Sequence, residues 1–318
     1  MKVSVIVPAY RLEHFIVPCL DSLSSQQTSF DYEVLVCNDA SPDGTLNAIK
    51  SCAKRDARIQ ILDNTENLGL VGTMQRLLAT ARGDYIAYLD GDDLALPGKL
   101  QAQVDYLDAH PGCGIVYHES EVFDSTTGET LKLYSRDFYN RDYIPPRADA
   151  THLVRYGTFL QASSVMIRRH GNLLGALEHG CRIICDYPWH IGNAMLGGGT
   201  IDLLDRVLGR YRMHSDSFGA ATNRNLDRRL TVTRELEQAC QFARRLGMAE
   251  ADVNAGVAHA RFAAALYFLR LGEDDRFVQM AVESAIPGSG YFDSRHAFAH
   301  QHRDDPTSVR EHLGWKTP

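Results

Sequence analysis

Five short runs of aliphatic and β-branched residues recur within the first 120 residues, and no other feature restricts the fold as much. They are "VSVIV" (3–7), "YEVLVCN" (32–38), "IQILD" (59–63), "YIAYLD" (85–90) and "GIVYH" (114–118). Between them lie "FIVPCLDSL", "TLNAIKSCAKR", "VGTMQRLLATA" and "KLQAQVDYLDA", each apolar at helical spacing. Strands that alternate with helices predict βαβ units, hence an α/β fold with a mostly parallel central sheet flanked by helices. The strands are apolar nearly throughout, as a sheet covered on both faces requires. Ligands of such sheets bind beyond the carboxyl ends of the strands. Pro8, Ala9, Tyr10, Asp39 and the run Asp90 to Asp93 all fall at that edge.

The fourth run ends in "LDGDDLALP", three carboxylates and a glycine. Like charges this close raise one another's pKa unless solvent or a cation intervenes. Mg²⁺ and Mn²⁺ bind through one or two carboxylates plus substrate phosphates, and Asp90-Gly91-Asp92 suits that need. An EF-hand does not fit, because position 6 counted from Asp90 is Ala95 and position 12 is Gln101. The first strand runs into "PAYRLEHF", which has no glycine, so a dinucleotide-binding Gly-x-Gly-x-x-Gly turn is excluded. Tyr10 offers instead a flat ring for stacking on a base. Asp39 can accept a hydrogen bond from a pyrimidine N–H, while Ser41 and Asp43 read as turn and cap residues.

The net charge of −7 argues against a nucleic-acid partner, whose binding surface would be basic. Seven scattered cysteines predict no disulfide framework and fit a reducing compartment. The opening "MKVSVIVPAY" is too short an apolar run for a signal peptide, and no later run reaches about 18 apolar residues. A cytoplasmic protein without a transmembrane segment is expected, soluble or peripheral at the inner face of the membrane. Cys181 and Cys185 with His179 and His190 match no common zinc finger.

The motifs gain weight in combination. "VSVIVPAY", "NDASPDGT", "NLGL", "ARGDYIAYLDGDD", "CDYPW" and "YRMH" occur in the order seen in family 2 glycosyltransferases, which the sequence resembles over about residues 1–215. The resemblance implies a GT-A fold and inverting, non-processive transfer of one sugar from a nucleotide-diphosphate donor, with a UDP-sugar favoured. The acceptor would be a carbohydrate, lipid-linked or other hydroxyl, in surface polysaccharide or glycoconjugate synthesis. By the same resemblance Tyr10 and Asp39 flank the base, with Pro8, Ala9, Asn67, Arg76, Asp90 and Gly91 also on the donor. Asp92 and His214 would hold Mn²⁺ or Mg²⁺, and Asp186 would be the catalytic base. Three departures stand out. Cys185 occupies a position that is often acidic, Met74-Gln75 replaces an arginine-asparagine pair, and the Gln-x-x-Arg-Trp element of processive synthases is missing. The competing readings are a sugar-nucleotide nucleotidyltransferase, which would want a glycine-rich basic loop after the first strand, and an inactive sugar-nucleotide-binding scaffold.

Residues 1–220 are expected to form the catalytic domain. Short strands near 131–134, 163–167 and 200–211 surround the segment "CRIICDYPWHIGNAML", whose apolar start reads as a strand leading to Asp186. Trp189 is expected in the core. Residues 221–318 are expected to be helical, packing on the catalytic domain or on a second subunit, with a loosely packed end after Pro287.

Overall fold

Val3–Ala9 (β1) is buried at all seven positions, which requires a central strand covered on both faces. The computed structural model describes residues 1–316 except 216, 218–221, 223, 289 and 292. From β1 the chain runs through Ile16–Ser24 (α1), Tyr32–Asn38 (β2), Thr45–Arg55 (α2), Ile59–Asp63 (β3), Gly69–Thr80 (α3) and Tyr85–Tyr88 (β4). Leu94–Ala95 (β5), Lys99–Ala109 (α4), Cys113–Asp124 (β6), Thr130–Leu133 (β7), Arg147–Ala148 (β8), Ala150–Tyr156 (α5) and Val165–Arg168 (β9) follow. Asp186–Gly197 (α6) and Thr200–Met213 (β10) close the sheet. Leu226–Arg245 (α7), Glu250–Leu271 (α8), Asp274–Glu283 (α9), Ser294–Gln301 (α10) and Pro306–His312 (α11) complete the described chain.

Among the described residues the strands form one sheet in the order β3-β2-β1-β4-β9-β6-β10-β5, with β7 beside β6 and β8 beside β10. The half built from β3, β2, β1 and β4 is parallel, as expected. The other half is mixed. β9 runs antiparallel between β4 and β6, and β5, β7 and β8 each pair antiparallel to their neighbour. A parallel partner needs a long crossover, whereas these pairings do not.

Alternate residues of the strands feed two cores. Val3, Val5, Val7, Val34 and Val36 pack with Ile16, Leu20, Ile49 and Leu100 under α1, α2 and α4. Ile6, Leu35, Ile86 and Ile115 point the other way, toward Leu77, Leu153, Trp189, Ala239, Cys240 and Val253. Each such buried aliphatic side chain contributes about 1.5–3 kcal/mol. The helices α7 and α8 therefore share a core with the sheet, and the expected boundary at 220–221 lies outside the described residues.

Two expectations need correction. "CRIIC" forms no strand; 181–185 is irregular backbone with a bend at 182–183, and α6 starts at Asp186 itself. The end after Pro287 is packed rather than loose: Ala299 of α10 and Val309 of α11 are buried against Phe268 and Phe277. Its apolar residues are too sparse for a helical period to announce the packing from sequence. Trp189 is 1% exposed, as expected. All seven cysteines are free and buried.

Candidate active site

The parallel half of the sheet brings its strand ends into line. Ala9 pairs with Asn38, the Asp39 amide donates to the Ala9 carbonyl at 2.9 Å, and the Leu89 amide donates to the Ile6 carbonyl at 3.1 Å. Tyr10, Asp39 and Asp90 consequently emerge at one edge, around a cleft of about 450 Å³. Pro8, Ala9, Asn67, Gly91, Asp92 and Asp186 line the same cleft. Tyr10 is 41% exposed, so its ring is open to a ligand.

Asp39 is more occupied than a free base-binding carboxylate. Its Oδ1 accepts from Asn64 Nδ2 at 2.7 Å and the Leu68 amide at 2.8 Å, and Oδ2 accepts from the Gly69 amide at 2.9 Å. These amides open α3, where helix N–H groups lack partners within the helix and favour an anion. Gly69 has φ +72°, a conformation that suits glycine, and this lets the turn fold onto Asp39. Asn67 ties the turn back by donating to the Asp39 carbonyl at 3.2 Å. Each carboxylate oxygen accepts more than one bond, so Oδ2 retains capacity toward a ligand. Asp43 takes the expected turn role, accepting from the Thr45 amide at 3.2 Å and its hydroxyl at 2.6 Å, while Gly44 stands at the cap position of α2.

The acidic run crosses the mouth of the cleft because Leu94 and Ala95 pair with Arg210 and Gly209 of β10. That crossing separates the three carboxylates into different tasks. Asp90 faces inward, where Oδ1 accepts from the Tyr88 hydroxyl at 2.5 Å. Burial, with the Asp92 charge next, pushes its carboxyl up to about 7. Asp92 stays partly exposed, and its Oδ2 lies 3.1 Å from His214 Nε2 at the end of β10. Asp93 is fully buried. It accepts from the Arg212 amide at 2.8 Å, Gln161 Nε2 at 3.0 Å and the Ser163 hydroxyl at 2.6 Å. Gly91 is required by close approach, since a Cβ there would lie 2.7 Å from Leu12 Cδ1 and 3.1 Å from the Pro8 carbonyl oxygen.

Asp92 and His214 offer one oxygen and one nitrogen donor to a divalent ion. The His214 Nδ1 is buried with no hydrogen-bond partner among the described residues, so no second bond fixes the ring against turning toward a ligand. Among the described residues no group of three or more potential protein ligands forms a closed cage. Mn²⁺ and Mg²⁺ accept such open sites because substrate phosphates supply further oxygens. The residues fit the ion.

Asp186 occupies the first turn of α6, with Cys185 in the cap position and no side-chain cap bond. Burial raises its pKa, and the Tyr187 backbone N–H opposes the rise. A half-buried carboxylate at a helix N-terminus is thus kept ionisable but basic. Arg76 does not reach the cleft. Its guanidinium donates to the Asp63 carbonyl and to Asn64 Oδ1, bracing the residue that holds Asp39. Arg182 lines the cleft. Gln161, Arg182 and Tyr134 come to the cleft from segments without a recognisable motif, while Tyr211 opens the "YRMH" element. Asp93 was visible within the acidic run, but its buried role was not.

This arrangement is that of the GT-A class of nucleotide-sugar transferases. The chain belongs to Glycosyl transferase family 2, whose family model matches residues 4–169. It is 39% identical to EpsE of Bacillus subtilis over 124 residues, 39% of this chain and 44% of that protein. It is 37% identical to the UDP-Glc:alpha-D-GlcNAc-diphosphoundecaprenol beta-1,3-glucosyltransferase WfgD of Escherichia coli over 105 residues, 33% of this chain and 40% of that one. The chain thus spans less than half the length of either relative. Its fold is shared with S. aureus TarS 1–349 in complex with UDP-GlcNAc: TM-score 0.67 and 16% identity, covering 98% of this chain and 88% of that one. It is shared too with the mannosyltransferase PcManGT of Pyrobaculum calidifontis in complex with GDP-Man and Mn²⁺: TM-score 0.62 and 18% identity, covering 100% and 88%.

Proposed function

We propose that the protein transfers one sugar, with inversion, from a nucleotide-diphosphate sugar to an acceptor hydroxyl. A UDP-sugar is the favoured donor and surface polysaccharide or glycoconjugate synthesis the setting. The observation that carries this reading is the division of labour in one cleft, with Asp90 and Asp92 on the acidic crossing and Asp186 on α6. The UDP-GlcNAc bound in the TarS complex and the UDP-Glc donor of WfgD support the choice of base. The Mn²⁺ in the PcManGT complex supports a metal.

Tyr10 stacks on the base and Asp39 Oδ2 accepts from its N–H. Asp92 and His214 would hold the divalent ion beside the donor phosphates. When bound, that ion offsets the negative charge of the departing diphosphate. Asp186 accepts the acceptor's hydroxyl proton on a carboxylate oxygen as the oxygen attacks the far face of the anomeric carbon. Burial raises the basicity of Asp186 for this task without requiring a partner that would compete for the proton. The acceptor is a carbohydrate, lipid-linked or other hydroxyl. Among the described residues no helix is long and apolar enough to cross a membrane, and association with the inner membrane face is compatible with a lipid-linked acceptor.

The test is a panel of nucleotide sugars and Mn²⁺, comparing wild type with Asp186→Asn. The variant keeps the shape and removes the basicity, so transfer should fall by about 10²–10⁴-fold at unchanged donor affinity. Wild-type transfer by Asp186→Asn would refute the assignment.

A further inference from the structure

The helix α7 belongs to the C-terminal helical region, beyond the residues that the family model matches. Yet one of its carboxylates is buried against the segment that leads into Asp186. Glu235 is 7% exposed, and its Oε1 accepts from the Arg182 amide at 3.0 Å. Its Oε2 accepts from the Ile183 amide at 2.8 Å and the Ile184 amide at 3.0 Å. Three consecutive backbone donors thus converge on one side chain about fifty residues away in sequence. The Cys181 thiol adds a bond to the Glu235 carbonyl at 3.5 Å, and the Cys185 thiol donates to the Cys181 carbonyl at 3.3 Å.

This segment has no strand or helix of its own at 181–184. Its backbone amides must find partners elsewhere, because an unpaired buried N–H costs about as much as a lost hydrogen bond. Bonds to an ionised acceptor are roughly twice as strong as neutral ones. The segment ends in Asp186, and Arg182 and Ile183 line the cleft beside it. Whatever fixes 182–184 therefore fixes how far Asp186 stands from the acidic crossing.

We propose that Glu235 is a positioning residue, which sets the distance of Asp186 from the donor by anchoring the three amides before it. This rests on Asp186 acting as the base. The C-terminal helices are then part of the catalytic apparatus and not a detachable appendage. Glu235→Gln keeps the volume but replaces one acceptor oxygen by an amide donor that faces a backbone N–H. Displacement of a catalytic group by about 1 Å can cost about 10²-fold in rate, so kcat should fall by about 10–10²-fold. The donor lies against Tyr10, Asp39 and Asp92, which Glu235 does not touch, so donor KM should be unchanged.

The experiment is a double-mutant cycle on the full chain, with transfer rates per donor-binding site, the sites being counted by titration with UDP and Mn²⁺. If Glu235 acts through Asp186, Glu235→Gln slows the wild type but changes nothing in the Asp186→Asn background. Equal losses in both backgrounds, or a loss explained by fewer donor-binding sites, make Glu235 a purely structural residue and overturn the proposal. Glu235→Asp, which keeps the charge but draws back the carboxylate, should give an intermediate rate and serves if the Gln variant does not fold. Failure of both variants to bind donor also overturns it. A wild-type rate for Asp186→Asn alone would instead refute the base assignment.

Discussion

Asp93→Ala should lower stability by about 1–3 kcal/mol at pH 7, because the loss built from its neighbours is partly offset by removing a carboxyl that burial and then the Asp92 and Asp90 charges disfavour. Of the three donors it satisfies, Ser163 Oγ has an alternative acceptor in Asp90 Oδ2 at 3.4 Å. Gln161 lines the cleft, where water can replace the lost bond. The Arg212 amide has no such recourse, and a buried donor left unpaired costs about 1–3 kcal/mol. The fourth neighbour is Lys99, which is 1% exposed. Burial lowers its pKa from 10.5 to about 8, and the Asp93 charge opposes that fall. Without Asp93 the pKa drops further, but below pH 7 the ammonium simply loses its proton. The additional cost at pH 7 is therefore limited to one unit, about 1.4 kcal/mol.

The sign follows from linkage. A lysine whose folded pKa lies below its unfolded value binds fewer protons when folded, so stability falls as pH drops below the unfolded value. In Asp93→Ala the fall continues to a lower pH than in the wild type. The stability gap between the two proteins should thus widen from pH 8 to pH 6, by up to about 1.4 kcal/mol per unit. Urea unfolding followed by circular dichroism at both pH values measures it. Lys99→Met in the Asp93→Ala background should remove the Lys99 share of the gap's pH dependence; the Asp93 carboxyl, whose pKa burial and then the Asp92 and Asp90 charges raise, widens the gap in the same direction as pH falls. A loss below about 1 kcal/mol, or a gap equal at pH 6 and pH 8, would refute the reasoning.

Three further outcomes are expected. Gly91→Ala should weaken nucleotide binding and cost about 1–3 kcal/mol, because the Pro8 carbonyl cannot yield as the Leu12 side chain can; wild-type UDP affinity by calorimetry would count against it. Asp92→Ala should abolish transfer and the Mn²⁺-dependent thermal shift seen with UDP while leaving the apo fold intact, and transfer undiminished in EDTA would remove the metal. His190 is fully buried, both its ring nitrogens lack partners among the described residues, and burial lowers its pKa to about 3. Its unfolded form takes up a proton below about pH 6.5, so folding should weaken by about 2 kcal/mol between pH 7 and pH 5. His190→Phe should flatten that slope in denaturation curves, and an unchanged slope would assign it to other groups.

The α/β alternation was legible because each element carries its own period: α2 and α4 span the very residues whose apolar spacing announced them. The carboxyl-edge position of Tyr10, Asp39 and Asp90 was legible too, since strand ends follow from strand runs. "CRIIC" misled because a short apolar run looks the same whether it pairs or merely lies buried. Arg76 was placed on the donor by resemblance, which does not say which acceptor a long side chain reaches; here the guanidinium finds Asp63 and Asn64.

By itself, then, the sequence determined the order of elements, the two-faced central strands and the acidic run at a strand's end, all properties of local pattern. Only the tertiary structure decided that Asp90 and Asp92 line the cleft while Asp93 is buried, because that depends on β5 joining β10 more than a hundred residues away. It decided likewise that α7 reaches the segment before Asp186, for hydrogen bonds such as those to Glu235 leave no periodicity in the chain. A side chain's chemistry is written in its residue type, but its task is set by the donors and charges that folding brings within a few ångströms.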